Sequence, residues 1–245
     1  MITSTTLRRR CAMALLTLAA LIPTVAFALE LPGAAPQAPA VLPDYEPQRL
    51  NAIFRTNKDR PMALQWVRID KLDEYLVALR LHAGNPTPRF NRETQQAQAR
   101  RDAILMATSL ARISAAPDTG PELLLRAAIA LSVAHNLGAP EAAAALADAR
   151  FERLLALTPA HREGLLEYGI HLVNTQRPST ALPPLRRVLA QGEDQARWPL
   201  ALSLAALNQR REAIAELDAL QTVSPAAATR YPLAATLAML RTAPD

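Results

Sequence analysis

The segment from residue 162 to residue 225 contains one pattern twice. Its first half reads REGLLEYGIHLVNTQRPSTALPPLRRVLAQGE (162–193), and its second half reads DQARWPLALSLAALNQRREAIAELDALQTVSP (194–225). Leu172 of the first half corresponds to Leu204 of the second, and Leu185 corresponds to Leu217. Each half spaces its apolar residues three and four apart, breaks off, and then repeats that spacing. The segment therefore predicts two successive helix-turn-helix units.

Each unit has one apolar face on its first helix and another on its second. The first-helix faces are Leu165, Tyr168, Gly169 and Leu172, then Arg197, Leu200, Ala201 and Leu204. The second-helix faces are Ala181, Leu185 and Val188, then Ala213, Leu217 and Leu220. A unit upstream has the same order, with Leu124, Ala127, Ala128 and Leu131 before Ala147, Phe151 and Leu154. The small residue in each first helix predicts a close approach between neighbouring helices.

These faces resemble the tetratricopeptide repeat (TPR) family, whose helix-turn-helix unit has about 34 residues and ends on a proline. Pro159 and Pro225 stand at the ends of two of the units. The resemblance implies an all-α fold, a right-handed α-solenoid of TPR-like helix-turn-helix repeats with a C-terminal capping helix. The capping helix is predicted from the face formed by Tyr231, Ala234, Ala235 and Ala238.

The chain divides into five parts. They are a signal peptide (1–28), a Pro/Ala-rich tether (29–47), an N-terminal helical pair (48–117), three TPR-like repeats (118–226) and the capping helix (227–245). In the N-terminal pair, a degenerate repeat or a cap, one helix is expected from Pro61 and the other from about Asn91. Pro183 and Pro184 predict that their helix starts near Thr180 and is short, because proline is tolerated only in a first turn.

The first 28 residues have the organisation of a bacterial secretory signal. Arg8, Arg9 and Arg10 precede a short apolar core, and Ala26-Phe27-Ala28 forms a small-x-small cleavage site. We expect cleavage after Ala28, a periplasmic or secreted protein, and no membrane span once the signal is removed. An uncleaved anchor is the alternative. The prolines of the tether predict a semi-rigid, poorly ordered segment.

Composition argues against several classes of protein. Cys11 is the only cysteine and lies in the signal, so the mature chain is predicted to have neither a disulfide nor a thiol nucleophile. Removing the signal takes away three basic residues and lowers the formal net charge from +5 to +2. Aromatic residues make up only 4% of the chain and are not interleaved with basic clusters. We therefore predict no nucleic-acid partner.

The TPR resemblance also assigns a binding groove. In the family, residues one and five positions after the first large residue of each first helix face the groove. In this sequence the partner-binding residues so assigned are Leu125, Ile129, Leu166, Ile170, Trp198 and Leu202, with Val133 and Asn174 one further turn along. Most are apolar, which favours an amphipathic helix or an extended apolar peptide as the ligand. Alternatively, the N-terminal helices or the tether cover these residues and leave no open groove.

Three polar residues share one predicted helical face. Glu163, Glu167 and His171 follow one another at intervals of four, with His161 just before them. A carboxylate and an imidazole can bind zinc, but a metal site needs ligands from a second helix and none is evident. A solvated acidic stripe is the simpler interpretation. The sequence has no hydrolase, phosphate-loop or dinucleotide motif, so we predict neither a cofactor nor enzymatic activity.

The sequence leads to one functional hypothesis and two alternatives. The leading hypothesis is a periplasmic adaptor or scaffold of a cell-envelope assembly, with an envelope protein or peptide as its partner. The first alternative is an envelope enzyme acting on peptidoglycan or polysaccharide through Glu163 or Glu167. The second is a self-associating structural spacer, since a homo-oligomer is possible.

Overall fold

Ten α-helices and one β-hairpin form the described part of the chain, residues 42–47, 50–57, 60–225 and 231–242 of a computed structural model. For residues 50, 55–57 and 60–66 only the backbone is described. These residues all lie within one unit, Ala35–Asp245. The predicted signal peptide and residues 29–41 of the predicted tether lie outside the described residues. Among the described helices, none combines the length and apolar character needed to cross a membrane.

The elements follow one another with short connections. The N-terminal elements are α1 (Leu50–Ile53), β1 (Phe54–Asn57), β2 (Arg60–Val67), α2 (Ile69–Ala83) and α3 (Glu93–Ile113). The next four helices are α4 (Pro121–Asn136), α5 (Ala142–Leu157), α6 (Arg162–Asn174) and α7 (Pro178–Ala190). A 3₁₀ turn (Asp194–Ala196) then leads to α8 (Arg197–Ala206), α9 (Arg210–Val223) and α10 (Leu233–Thr242).

Three consecutive helix pairs build the repeat region. α4 packs against α5, α6 against α7, and α8 against α9, while α5 and α7 each contact the first helix of the next pair. The predicted faces of these repeats are buried between the helices except at Tyr168 and Arg197, which are half-buried. Phe151, Leu172 and Leu217, for example, have no exposed surface. The prediction of an all-α helical-repeat solenoid is confirmed. Its capping helix, α10, packs against α9.

The close approach predicted at Gly169 occurs between α6 and α7. A Cβ atom at this position would collide with the side chain of Leu185. The turns between the paired helices also share a feature: Gly138, Gln176 and Asn208 all have positive φ angles, of 78°, 58° and 60°. A left-handed residue after a helix lets the chain reverse direction, and glycine adopts that conformation at the lowest cost. Local backbone geometry thus repeats together with the apolar faces.

The N-terminal region differs from the prediction in two respects. Residues 60–67 form a strand, paired with β1 from Phe54↔Val67 to Asn57↔Arg60, and the helix starts only at Ile69. Met62, Leu64 and Trp66 also alternate, which is the period of a strand, so the helical interpretation of that stretch was wrong. Furthermore, α2 and α3 do not form a pair, because both make their main helix contacts with α4.

Residues 42–47 correct the prediction of a poorly ordered tether. Tyr45 is buried, donates a hydrogen bond from its hydroxyl to Asp102 at 3.0 Å, and meets Phe90 edge to face. Asn91 donates to the Leu42 carbonyl oxygen at 2.7 Å. The aromatic anchor therefore fixes a proline-containing segment that would otherwise be extended and solvated.

Two predictions about later helices need correction. α7 begins at Pro178 and contains Pro183 and Pro184 in its second turn. The carbonyls of Ser179 and Thr180, which lose their helical N–H partners to these prolines, belong to exposed residues, where water can satisfy them. In α10, Leu233, Leu237 and Leu240 are buried, whereas the predicted Ala234 and Ala238 are exposed. The larger leucine side chains determine the face of α10, because they bury more apolar area than alanine.

Candidate functional site

The predicted groove residues fall into two groups. Leu125, Ile129, Val133 and Leu166 are buried, with 3%, 5%, 4% and 8% of their surface exposed. The other four are half-buried: Ile170, Asn174, Trp198 and Leu202. The prediction of an open groove is therefore wrong at its N-terminal end. The alternative, coverage by the chain's own N-terminal helices, holds there.

Helix α2 covers that end of the groove by lying along α4. Asp73 accepts two hydrogen bonds from Arg126, at 2.6 and 2.8 Å, and the Ala83 carbonyl accepts one from Asn136 at 3.0 Å. Both contacts join residues 53 positions apart. α2 and α4 therefore run in the same direction. Leu72, Leu76 and Leu79 of α2 belong to the same buried cluster as Leu125 and Ile129.

The C-terminal half of α2 also reaches α6. Arg80 forms an ion pair with Glu167 at 2.5 Å, and the Gly84 carbonyl accepts a hydrogen bond from Asn174 at 3.1 Å. The last carbonyls of a helix have no partner within the helix, so Asn136 and Asn174 satisfy two groups that would otherwise face a largely apolar surface. We call the surface of α4 and α6 that α2 covers the α4–α6 seam; it contains Arg126, Ile129, Asn136, Glu167 and Asn174.

A small pocket remains beside the end of α2. It encloses about 280 Å³, including its open mouth. Its apolar lining is formed by Ile129, Val133, Phe151 and Ile170, and its polar lining by Arg80, Ser132, Asn136, Glu167 and Asn174. Most of these polar groups already bond to α2 or to one another. The pocket is thus the unfilled remainder of the α4–α6 seam.

The groove continues beyond α2 onto α8. Three half-buried side chains lie along this continuation: Ile170 of α6, and Trp198 and Leu202 of α8. We call these three residues the α6–α8 seam. Trp198 stacks on Tyr231 with ring centroids 4.7 Å apart and planes 8° from parallel. Trp198 lies within α8 although Pro199 follows it, because Pro199 occupies the first turn, where its missing N–H has no helical partner to lose. This seam is an apolar surface with a fixed aromatic edge.

The three residues of the predicted polar face have different environments. Glu163 is exposed, whereas Glu167 is buried and paired with Arg80. Burial raises the pKa of the Glu167 carboxyl, and the Arg80 guanidinium opposes that rise. The interpretation of these residues as a solvated acidic stripe is therefore wrong at Glu167. His161 does not join them, since its ring accepts a hydrogen bond from the Gly164 N–H and caps α6.

His171 joins three helices. Its Nδ1 lies 2.8 Å from Ser132 Oγ on α4, and its Nε2 lies 3.3 Å from Asp148 Oδ1 on α5. Asp148 in turn accepts two hydrogen bonds from Arg177, at 2.8 and 2.9 Å. Burial lowers the pKa of His171 to about 4, although the Asp148 carboxylate opposes this shift. The neutral imidazole therefore serves as a packing and hydrogen-bonding group between the helix pairs.

The described residues contain no cluster of three or more His, Cys, Asp or Glu side chains that could hold a metal ion. Glu163, Glu167 and His171 turn to solvent, to Arg80 and to Ser132, respectively, and do not converge on one point. Their equal spacing placed them on one helix but could not give the partners that approach from α2 and α4.

Sequence reasoning missed the residues that position α2. Asp73, Arg80, Arg126 and Asn136 were assigned no role, although they provide the polar contacts of the α4–α6 seam. One signal was available: Asp73 directly follows Leu72, and Arg80 directly follows Leu79, so both charges border the apolar face of a single helix. Such a helix is suited to a partner surface that carries both signs of charge.

Comparisons with known proteins give little further information. No protein-family model matches the chain. No curated protein matches it either. Among solved structures, the chain is similar to "MamA RS-1 ArsTM double mutant", with 22% sequence identity over 64% of this chain and 76% of that chain, at a TM-score of 0.39. This likeness is too distant to transfer a partner or an activity.

Proposed function

We propose that the protein is an interaction module that binds an apolar or amphipathic segment of a partner protein on the α6–α8 seam. The observation that supports this function is the difference between the two seams. Ile129 on α4 is buried beneath α2, whereas Ile170, Trp198 and Leu202 keep part of their surface in solvent. Adjacent large apolar side chains that stay accessible on a folded protein commonly mark an interaction site.

A pull-down with matched variants tests this function. The variant Ile170→Glu, Leu202→Glu places two charges on the α6–α8 seam. The control Leu146→Glu, Leu157→Glu places two charges at exposed apolar positions of α5, which are 38% and 56% exposed. We expect the first variant to lose partners captured from a cell-envelope extract, and the control to retain them. Equal capture by both folded variants would contradict the proposal.

We also propose that the protein acts in the periplasm, as an adaptor or scaffold of an envelope assembly. The support is the sequence of residues 1–28, with its basic start, apolar core and small-x-small site. Expression of the full chain in a Gram-negative host tests this location. A periplasmic product whose N-terminus is Leu29 is the expected result, and a cytoplasmic product that retains residue 1 would contradict it.

Self-association is a second candidate function, and two side chains favour it. Val77 and Leu81 are 71% and 53% exposed and lie one turn apart on α2. Burying them against a second copy would remove apolar surface from water. Light scattering over a wide concentration range, with Val77→Glu, Leu81→Glu as the comparison, tests this candidate. A monomeric mass for the unmodified chain at every concentration would exclude it.

A further inference from the structure

Helix α2 contacts the repeats as a bound ligand would. It lies along α4 in one register, extends to α6, and does not pair with α3, its neighbour in sequence. In the three later units, by contrast, the two helices of a unit pack on each other. A helix that contacts the first helices of the next two units occupies the place that the sequence analysis assigned to a partner.

The contacts of α2 also define which helix fits the α4–α6 seam. Leu72, Leu76 and Leu79 supply the apolar face, and each has less than 5% of its surface exposed. The acid that follows the first leucine, Asp73, meets Arg126, and the base that follows the last, Arg80, meets Glu167. Recognition thus depends on an apolar stripe with an acid at one end and a base at the other.

The seam residues would not tolerate an uncharged replacement for α2. Arg126 has only 15% of its side chain exposed and Glu167 only 10%. An uncharged helix in the place of α2 would still keep water from these two groups. It would leave Glu167 without the partner that Arg80 provides and leave Arg126 with only Glu122 of its own helix, and desolvated charges without partners are strongly unfavourable. Asn136 and Asn174 would lose the two carbonyls that they bind. A replacement must therefore offer both charges and a helix C-terminus.

We propose that the α4–α6 seam is a helix-binding site that α2 occupies within the chain, and that it accepts a partner helix carrying the same pattern. That pattern is three apolar residues spaced four and then three apart, with an acid after the first and a base after the third. The inference rests on the proposed role as an interaction module, but it concerns a different seam. Because α2 is tethered, its effective concentration is on the order of millimolar, so it is displaced only by a helix that matches this pattern.

A binding experiment with two chain variants tests the proposal. The probe is a labelled synthetic peptide of residues 68–85 with the native sequence. In the full chain, Asp73→Ala, Arg80→Ala removes both ion pairs that join α2 to the α4–α6 seam and leaves Arg126 and Glu167 in place. The control Asp70→Ala, Lys71→Ala alters charges of the same helix whose ion pairs are with Arg68 and Glu74 and not with the seam. We expect the first variant to bind the peptide at least tenfold more tightly than the unmodified chain, and the control to match the unmodified chain.

Two results would overturn the proposal. One is equal binding of the native peptide by the first variant, the control and the unmodified chain. The other is that the first variant binds a peptide carrying Asp73→Ala and Arg80→Ala as tightly as it binds the native peptide, because the two charges of the peptide would then have no role. Leu202→Glu in the full chain separates the two sites, because Leu202 does not line the pocket beside α2: it weakens partner capture through the α6–α8 seam but leaves peptide binding unchanged.

Hydrogen exchange of the unmodified chain tests the same proposal if the first variant does not fold. Peptide that displaces α2 exposes the amides of residues 69–83, so their exchange should accelerate severalfold when native peptide is added. The alanine peptide should have no such effect. Unchanged exchange of these amides, at native peptide concentrations up to about the millimolar effective concentration of a tethered segment, would show that α2 is a permanent part of the core.

Discussion

At the scale of single residues, Gly169 determines how closely α6 approaches α7. A Cβ atom there would overlap the Leu185 side chain. We expect Gly169→Leu to lower the free energy of unfolding by roughly 1 to 3 kcal/mol, the usual cost of overpacking a core. Ala145→Leu, at an exposed position of α5, is the control and should be nearly neutral. Chemical denaturation of both variants measures the difference, and equal midpoints would contradict the assigned role of Gly169.

His171 should make stability depend on pH. Its pKa is about 4 in the folded chain against an ordinary value of 6.5. Between these values the unfolded chain binds a proton that the folded chain does not, so stability falls as the pH falls from about 6.5 to 4. The full effect is about 3 kcal/mol. The groups that face this imidazole or act on its charge are Ser132, Asp148, Arg177 and His135.

The variant His171→Gln isolates this effect. Glu167, whose pKa is raised, acts in the opposite direction above its ordinary value of 4.5, because the folded chain then retains a proton that the unfolded chain releases. Glu167 is present in both the unmodified chain and the variant, so its contribution cancels in the difference between their free energies of unfolding. We expect the difference to shrink as the pH decreases from 7 to 4 in denaturation experiments. A difference independent of pH would show that His171 has no depressed pKa.

At the scale of elements, the turn between α6 and α7 contains a strained residue. Gln176 has a φ of 58°, a left-handed conformation that a side chain disfavours. Gln176→Gly should therefore raise the free energy of unfolding by about 1 kcal/mol. Asn208→Gly, at the equivalent position after α8, should give less, because asparagine tolerates this conformation better. Thermal denaturation compares the two, and a destabilised Gln176→Gly would contradict the assignment of strain.

The helices of the repeats could be predicted because their signals are local. The spacing of Leu124, Phe151 and Leu217 with their neighbours places each helix and its buried face without knowledge of distant contacts. The position of α2 could not be predicted in this way. It depends on Arg80 meeting Glu167, a residue 87 positions later, and no periodicity within α2 names that partner. The predicted groove residues accordingly lie along α4, α6 and α8, and the sequence did not indicate that α2 covers the α4 end of that surface.

At the scale of the whole molecule, a stack of helix pairs should respond to damage locally, because each pair contacts only its neighbours. Leu237 of α10 is 5% exposed, whereas the adjacent Ala238 is exposed. Leu237→Asp buries a charge against α9 and should cost about 3 kcal/mol or more, while Ala238→Asp should be nearly neutral. Hydrogen exchange should accelerate in α9 and α10 of the first variant. Equal acceleration in α4 and α5 would contradict the stacked architecture, since damage at one end would then reach the other.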